Sequence, residues 1–203
     1  MSFLDLIFPQ NCLECGKEGY NICLSCIQKV PQVGWNTPYN YAIWKYVGVV
    51  RKAILATKYK LSLDIAQELA ILASKNIYFS SFDPKNTILI PVPLHWRKKN
   101  LRGFNQAEEL GEIISESLGW QFMSDLIIKR HPTKSQVELK GEKRRQNLRD
   151  AFSLGEVFNE KDFRDKAVII FDDVYTTGST VKEIVSLLRR SGVFNVSSLT
   201  LAA

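Results

Sequence analysis

Two neighbouring acids followed by a run of hydroxyl-bearing residues form the most informative segment of the chain. Asp172 and Asp173 follow an apolar run at 167–171, and five loop residues come shortly after them: Thr176, Thr177, Gly178, Ser179 and Thr180. Glycine lets the backbone approach a ligand at positive φ. The hydroxyls lie beside the free N–H groups of the next helix, which attract anions together with the helix dipole. The sequence therefore predicts a monophosphate-binding loop at 176–180.

The two acids indicate more than a phosphate, because a carboxylate beside a phosphate repels it. They fit a ligand whose vicinal hydroxyls lie about a ribose width from its phosphate. Asp172 and Asp173 would accept hydrogen bonds from those hydroxyls, or hold Mg²⁺ directly or through water. An ordinary capped helix explains one hydroxyl, but not four hydroxyls and two acids at a strand end.

All four cysteines lie in two CxxC pairs near the N-terminus: Cys12, Cys15, Cys23 and Cys26. Two such pairs provide the four thiolates of a tetrahedral zinc site, and four protein ligands leave no open position for catalysis. The sequence predicts a compact structural zinc knuckle. The alternative is redox thiols or disulfides, and a cytoplasmic protein disfavours disulfides.

Basic residues concentrate in two segments. The first follows a predicted strand and contains Arg97, Lys98, Lys99 and Arg102, and the second contains Lys140, Lys143, Arg144, Arg145 and Arg149. Arginine suits bidentate contact with phosphate groups. The alternatives are solvated loops, or surfaces that grip a nucleic-acid backbone.

Apolar periodicity predicts the elements that position these residues. Strands are expected at 41–47, 87–92, 167–171 and 195–201, two helices within 48–76, a helix ending near Gly119, and a helix after the phosphate loop. Residues 10–35 look loop-like, and 130–150 look like a long loop or a helical flap. Alternating strands and helices predict an α/β fold with a mostly parallel sheet and flanking helices. Ligands bind beyond the carboxyl ends of such strands.

Composition agrees with a soluble globular protein. The 203 residues are 45% hydrophobic and 24% charged, and the net charge of +6 favours anionic ligands without choosing among them. No apolar run is long enough to cross a bilayer, and the N-terminus lacks the features of a signal peptide. A cytoplasmic protein without membrane contacts is expected.

The strand, the acids and the TTG-x-T turn resemble the type I phosphoribosyltransferase signature. Several further segments resemble the ComF family of competence-associated, phosphoribosyltransferase-like proteins. They are the four cysteines, Lys58-Tyr59, the PVPL run at 91–94, the run RGFNQAEEL at 102–110, and the pattern Gln136-x2-Leu139-x4-Arg144-x2-Asn147-x3-Ala151-Phe152.

The resemblance implies a phosphoribosyl pyrophosphate (PRPP) site that works with Mg²⁺. In it the acids contact the ribose, 176–180 hold the 5′-phosphate, Lys58, Arg97 and Arg102 bind pyrophosphate, and Arg144 belongs to a catalytic flap. It also implies a zinc module at 1–35 and a phosphoribosyltransferase-like domain at 36–203.

Three functions remain open at this point. The first is phosphoribosyl transfer to an unidentified acceptor, in a protein involved in DNA uptake. The second is a non-catalytic adaptor that senses PRPP or binds single-stranded DNA beside other DNA-uptake proteins. The third is a zinc-stabilised interaction module with a vestigial phosphate loop.

Overall fold

The computed structural model describes residues 10–60, 62–94, 96, 100, 103–130 and 151–203. The α-helices in this part are α1 (Leu24–Ile27), α2 (Gly48–Lys60), α3 (Leu63–Ser74), α4 (Gln106–Leu118) and α5 (Ser179–Arg190). The strands are β1 (Gln32–Thr37), β2 (Asn40–Trp44), β3 (Thr87–Pro91), β4 (Gln121–Phe122), β5 (Ile127–Lys129), β6 (Phe152–Leu154), β7 (Ala167–Val174) and β8 (Val196–Ala202). None of the helices in these ranges combines the length and the apolar character needed to span a membrane.

A six-stranded sheet organises the molecule in the order β1-β2-β8-β7-β3-β4. Only β1 runs antiparallel to its neighbour, and the other adjacent pairs are parallel. The predicted α/β fold with a mostly parallel sheet is therefore confirmed. A separate antiparallel pair joins β5 to β6.

The central strands alternate their side chains between two cores, as the period of two in a strand requires. Leu89, Ile169 and Phe171 belong to the core that also contains residues of α2, α3 and α4. Ile88 and Ile170 belong to the opposite core, with the apolar face of α5 and the β5–β6 pair. Within the described residues both faces of the parallel strands are covered, so a ligand site is expected at the ends of these strands.

The predicted helices are all present, and Gly119 ends α4 in the left-handed conformation with φ 68°. The expectation of loop structure throughout 10–35 is wrong, because α1 and the start of β1 lie within it. Neither element has a strong local signal. The helix α1 has only four residues, and β1 pairs with β2 across the predicted domain boundary at 35/36.

Strand β7 continues further than predicted. It extends through both acids to Val174, and pairing with β8 matches Asp172 with Thr200 and Val174 with Ala202. The acids are therefore held by the sheet itself and do not depend on a loop for their positions.

Candidate ligand and metal sites

The carboxyl ends of β3 and β7 meet at one edge of the sheet. Pro91 pairs with Phe171 in parallel register, and the Val92 N–H donates to the Phe171 carbonyl at 2.8 Å. The basic segment that follows β3 and the phosphate loop that follows β7 therefore start side by side. Ligands of open α/β sheets bind in this region.

The two acids at this edge are arranged differently from each other. Asp172 accepts the Asp173 N–H at 2.9 Å, and Asp173 accepts the Val174 N–H through Oδ1 at 2.8 Å. The other oxygen of Asp173 lies 3.9 Å from Nζ of Lys58, which comes from α2. The structure thus places Lys58, which is predicted to bind pyrophosphate, beside the two acids that are predicted to bind the ribose.

The local environment sets the charge of the acid pair. Burial, and then the adjacent Asp173 carboxylate, raise the pKa of Asp172 well above its ordinary value. The Asp173 N–H and the positive charge of Lys58 act in the opposite direction. A ligand that brings hydroxyl donors or a cation to this pair would favour the ionised form of Asp172.

The phosphate loop has the geometry that its glycine suggests. Gly178 has φ 67° and directly precedes α5, whose first N–H groups have no partner within the helix. A larger residue here would be strained by this positive φ, and its Cβ would require the end of the Tyr175 side chain to move. The Thr177 and Ser179 hydroxyls are 3.0 Å apart, and Thr177 is exposed. Backbone donors and hydroxyls therefore converge where a phosphate is predicted.

Two amides beside the basic segment have roles that the sequence did not reveal. Asn105 begins α4 by accepting the Ala107 N–H, and it donates to the Val92 carbonyl at 3.1 Å. Gln106 donates to Thr57 on α2 at 2.6 Å. The run RGFNQAEEL carried these residues only as part of a resemblance. The available signal was an N-cap residue, Asn105, at the start of an amphipathic helix.

Some predicted site residues lie outside the described residues. They are Arg97, Arg102 and Arg144, together with the remaining cations of both basic segments. Their assignments remain predictions.

The four cysteine sulfur atoms lie within 4.8 Å of one another. Sγ of Cys15 and Sγ of Cys23 are 3.6 Å apart, too far for a disulfide and close to the roughly 3.8 Å between tetrahedral ligands at a zinc–sulfur distance of about 2.3 Å. Cys15 is exposed and the other three are buried. The cluster is positioned to bind a metal ion such as zinc.

The surroundings shift the pKa values of these cysteine thiols in different directions. Hydrogen bonding with Ser25 lowers the pKa of Cys23 to about 6. Hydrogen bonding with Cys23, burial and the neighbouring thiols raise the pKa of Cys26 to about 12. Four thiolates this close together repel one another, and a divalent cation that replaces the protons removes that repulsion.

The helices α2 and α3 hold the cysteine segment. The two carboxylate oxygens of Glu68 on α3 accept the N–H groups of Asn21 and Ile22 at 2.9 and 3.1 Å. Lys52 on α2 donates to the Leu13 carbonyl at 3.0 Å. Three of the cysteines also belong to the same core as α2 and α3. The cysteine cluster and the helix that carries Lys58 therefore share one packed layer.

Comparison with known proteins agrees with this geometry. The phosphoribosyl transferase domain family matches residues 105–203, which contain β7, the acids and the phosphate loop. The fold and these motifs define a type I phosphoribosyltransferase-like protein.

Similar proteins extend the match over most of the chain. "Competence protein F" of Haemophilus influenzae is 33% identical over 96% of this chain and 85% of its own length. "DNA utilization protein YhgH" of Escherichia coli O157:H7 is 32% identical over 91% of this chain and 80% of its own. Adenine phosphoribosyl transferase from Trypanosoma brucei matches in structure with a TM-score of 0.45 and 13% identity, over 86% of each chain. The chain belongs to the competence protein F family, or ComF family.

Proposed function

We propose that this protein binds PRPP with Mg²⁺ at the carboxyl end of β7. The observation that carries the proposal is the continuity of the site. The acid pair lies in the central strand β7, just before its end at Val174, and Gly178 then leads the chain into α5. One side of the site thus offers acceptors for ribose hydroxyls, and the other offers donors for a phosphate. Few ligands other than a ribose phosphate need both so close together.

Each part of PRPP has an assigned partner in this proposal. Residues 176–180 hold the 5′-phosphate, and Asp172 and Asp173 accept the ribose hydroxyls. Lys58 binds the pyrophosphate, with Arg97 and Arg102 from the basic segment. The acid pair suits Mg²⁺, which prefers carboxylate and phosphate oxygens and would neutralise charge on the departing pyrophosphate.

We propose phosphoribosyl transfer as the reaction. The bond between C1 and the pyrophosphate oxygen breaks, and its electron pair leaves with pyrophosphate. A nucleophile of the acceptor forms the new bond to C1 through an oxocarbenium-like state. The chain's cations stabilise the leaving charge, the acids orient the ribose, and a flap containing Arg144 excludes water. The acceptor is unidentified.

The names of the relatives support a role in DNA uptake. They are called a competence protein and a DNA utilization protein. We propose that the protein acts in the cytoplasm on incoming DNA or beside other DNA-uptake proteins. In the cysteine cluster, zinc would be structural, since four thiolates complete its coordination.

A groove between α5 and the turn that joins β1 to β2 favours the second candidate function, a single-stranded-DNA-binding adaptor. Its lining includes Lys182, Arg189 and Arg190, with Tyr39 from the turn between β1 and β2. Cations can follow a phosphate backbone and an aromatic ring can stack on a base. Binding of labelled oligonucleotide should then weaken steeply with salt, and less steeply in Lys182→Gln/Arg189→Gln. Undetectable binding at low salt would exclude this function.

Calorimetric titration of PRPP, with and without Mg²⁺, tests the main proposal. We expect magnesium-dependent binding that Asp172→Asn/Asp173→Asn abolishes and Asp165→Asn leaves unchanged. Asp165 is an exposed acid before the opposite end of β7. If PRPP produces no heat and ribose 5-phosphate does not compete, PRPP is excluded as the ligand. The DNA adaptor is then the better explanation.

A further inference from the structure

The side chain of Gln106 is buried between two helices that both lead to the candidate site. It is 5% exposed, and Nε2 donates to Oγ1 of Thr57 at 2.6 Å and to the Ile54 carbonyl at 3.1 Å. Thr57 is itself buried and donates to the same carbonyl at 3.1 Å. The two hydrogen bonds from Gln106 hold the last turns of α2 against the first turn of α4.

This arrangement leaves one polar atom unsatisfied. Oε1 of Gln106 is buried and accepts no hydrogen bond from the described part of the chain. A buried acceptor without a donor destabilises the folded state, whereas methionine would fill a similar volume without that atom. Packing alone therefore does not favour glutamine here. What glutamine adds over methionine is its amide N–H groups, which donate to Thr57 and to the Ile54 carbonyl.

The residue that Gln106 holds is next to a proposed ligand-binding cation. Thr57 immediately precedes Lys58, whose Nζ lies 3.9 Å from Oδ2 of Asp173. The side chain of Lys58 is 31% exposed and extends from the end of α2. A small rotation of this last turn would carry the ammonium group away from the acids, since the long side chain amplifies any change in its backbone.

Asn105, the residue before Gln106, anchors the first basic segment to β3. Its side chain donates to the Val92 carbonyl at the end of β3, and the cations of the first basic segment lie between these two residues in the chain. Asn105 and Gln106 thus connect the base of that segment to the turn of α2 that carries Lys58.

We propose that Gln106 is a positioning residue that holds Thr57 so that Lys58 faces Asp173, and faces the pyrophosphate once PRPP is bound. The second half of this inference rests on the proposed PRPP site. The first half concerns the ligand-free protein and does not depend on it.

The test compares Gln106→Met, Lys58→Gln and the double variant. Unfolding in urea and calorimetry with PRPP and Mg²⁺ are measured for each, and crystal structures of the ligand-free wild type and Gln106→Met compare the distance between Nζ of Lys58 and Oδ2 of Asp173. We expect Gln106→Met to be at least as stable as the wild type. The distance, 3.9 Å with Gln106 present, should lengthen in Gln106→Met. Affinity for PRPP should fall about tenfold or more in Lys58→Gln, by a smaller factor in Gln106→Met, and no further in the double variant than in Lys58→Gln alone.

A matched control lies on the same helix. Ser115 of α4 is also buried with an unsatisfied hydroxyl among the described residues, so Ser115→Ala removes a comparable polar atom. It should change neither the Lys58–Asp173 distance nor the affinity. The proposal is overturned if Gln106→Met leaves both unchanged while Lys58→Gln lowers the affinity, or if the two losses of affinity add in the double variant. If the wild type binds no PRPP but the distance lengthens in Gln106→Met, the positioning role holds and the proposed ligand is wrong.

Discussion

Replacement of Asp172 by asparagine should stabilise the protein at neutral pH. Burial and the Asp173 charge raise the pKa of Asp172 in the folded state, so its ionised form is unfavourable there. Asparagine keeps an oxygen for the Asp173 N–H, which Asp172 accepts at 2.9 Å, and it carries no charge. The Lys58 contact involves Asp173 and is retained. The substitution therefore removes an unfavourable charge and few favourable contacts.

The sign and size of this effect follow from proton linkage. For a carboxyl whose folded-state pKa is raised, the stabilising contribution is fully present below the unfolded pKa, about 3.9, and is lost as the pH rises through the folded-state value. Each unit of elevation corresponds to about 1.4 kcal/mol at neutral pH, and a chain of this size shifts its Tm by about 2–4 °C per kcal/mol. Asp172→Asn should therefore raise the Tm at pH 7.5 by about 3–6 °C for every unit by which the pKa is raised.

Thermal unfolding and urea unfolding between pH 7.5 and pH 4 measure this directly. The advantage of Asp172→Asn should shrink steadily as the pH falls, while Asp165→Asn, at an exposed site, should show little change at any pH. An asparagine variant that is less stable than the wild type at pH 7.5 would refute the reasoning. So would a gain in stability that does not depend on pH, because it would have a cause other than the charge.

Three further substitutions test the loop and the cysteine cluster. Gly178→Ala should lower stability by about 1–2 kcal/mol, because alanine is strained at the positive φ of this position; urea unfolding measures this, and wild-type stability would contradict it. Cys15→Ser should reduce bound zinc below one per chain by elemental analysis and lower the Tm, because the other three cysteines lie in the core. An unchanged metal content would contradict the four-cysteine site. Glu68→Gln should speed zinc loss to a chelator and lower stability by about 1–3 kcal/mol, since one of two N–H groups loses its acceptor, yet leave PRPP affinity unchanged. Equal rates of zinc loss would show that Glu68 does not hold the knuckle.

Much of the fold could be predicted because its signals are local. Four central strands and four longer helices follow from apolar periodicity, and the order of strands and helices predicts a parallel sheet. The exceptions are short or depend on distant partners. The strand β1 pairs with β2, and β5 finds its partner β6 only beyond residue 150. A pattern read along the chain cannot indicate which distant segment will supply that partner.

Each candidate site likewise combines residues that local sequence identifies with contacts that depend on distant segments. The sequence determined by itself the acid pair with its glycine turn and the paired cysteines, because in each case the residues that act together are close in the chain and share one strand end or one tight turn. Only the tertiary structure decided that Lys58 faces Asp173, that Glu68 holds the backbone of the cysteine segment, and that Gln106 connects two helices. Those contacts join segments far apart in the chain. They arise only when the hydrophobic faces of the helices pack on the sheet, so the side chains that meet are set by packing and not by spacing along the chain.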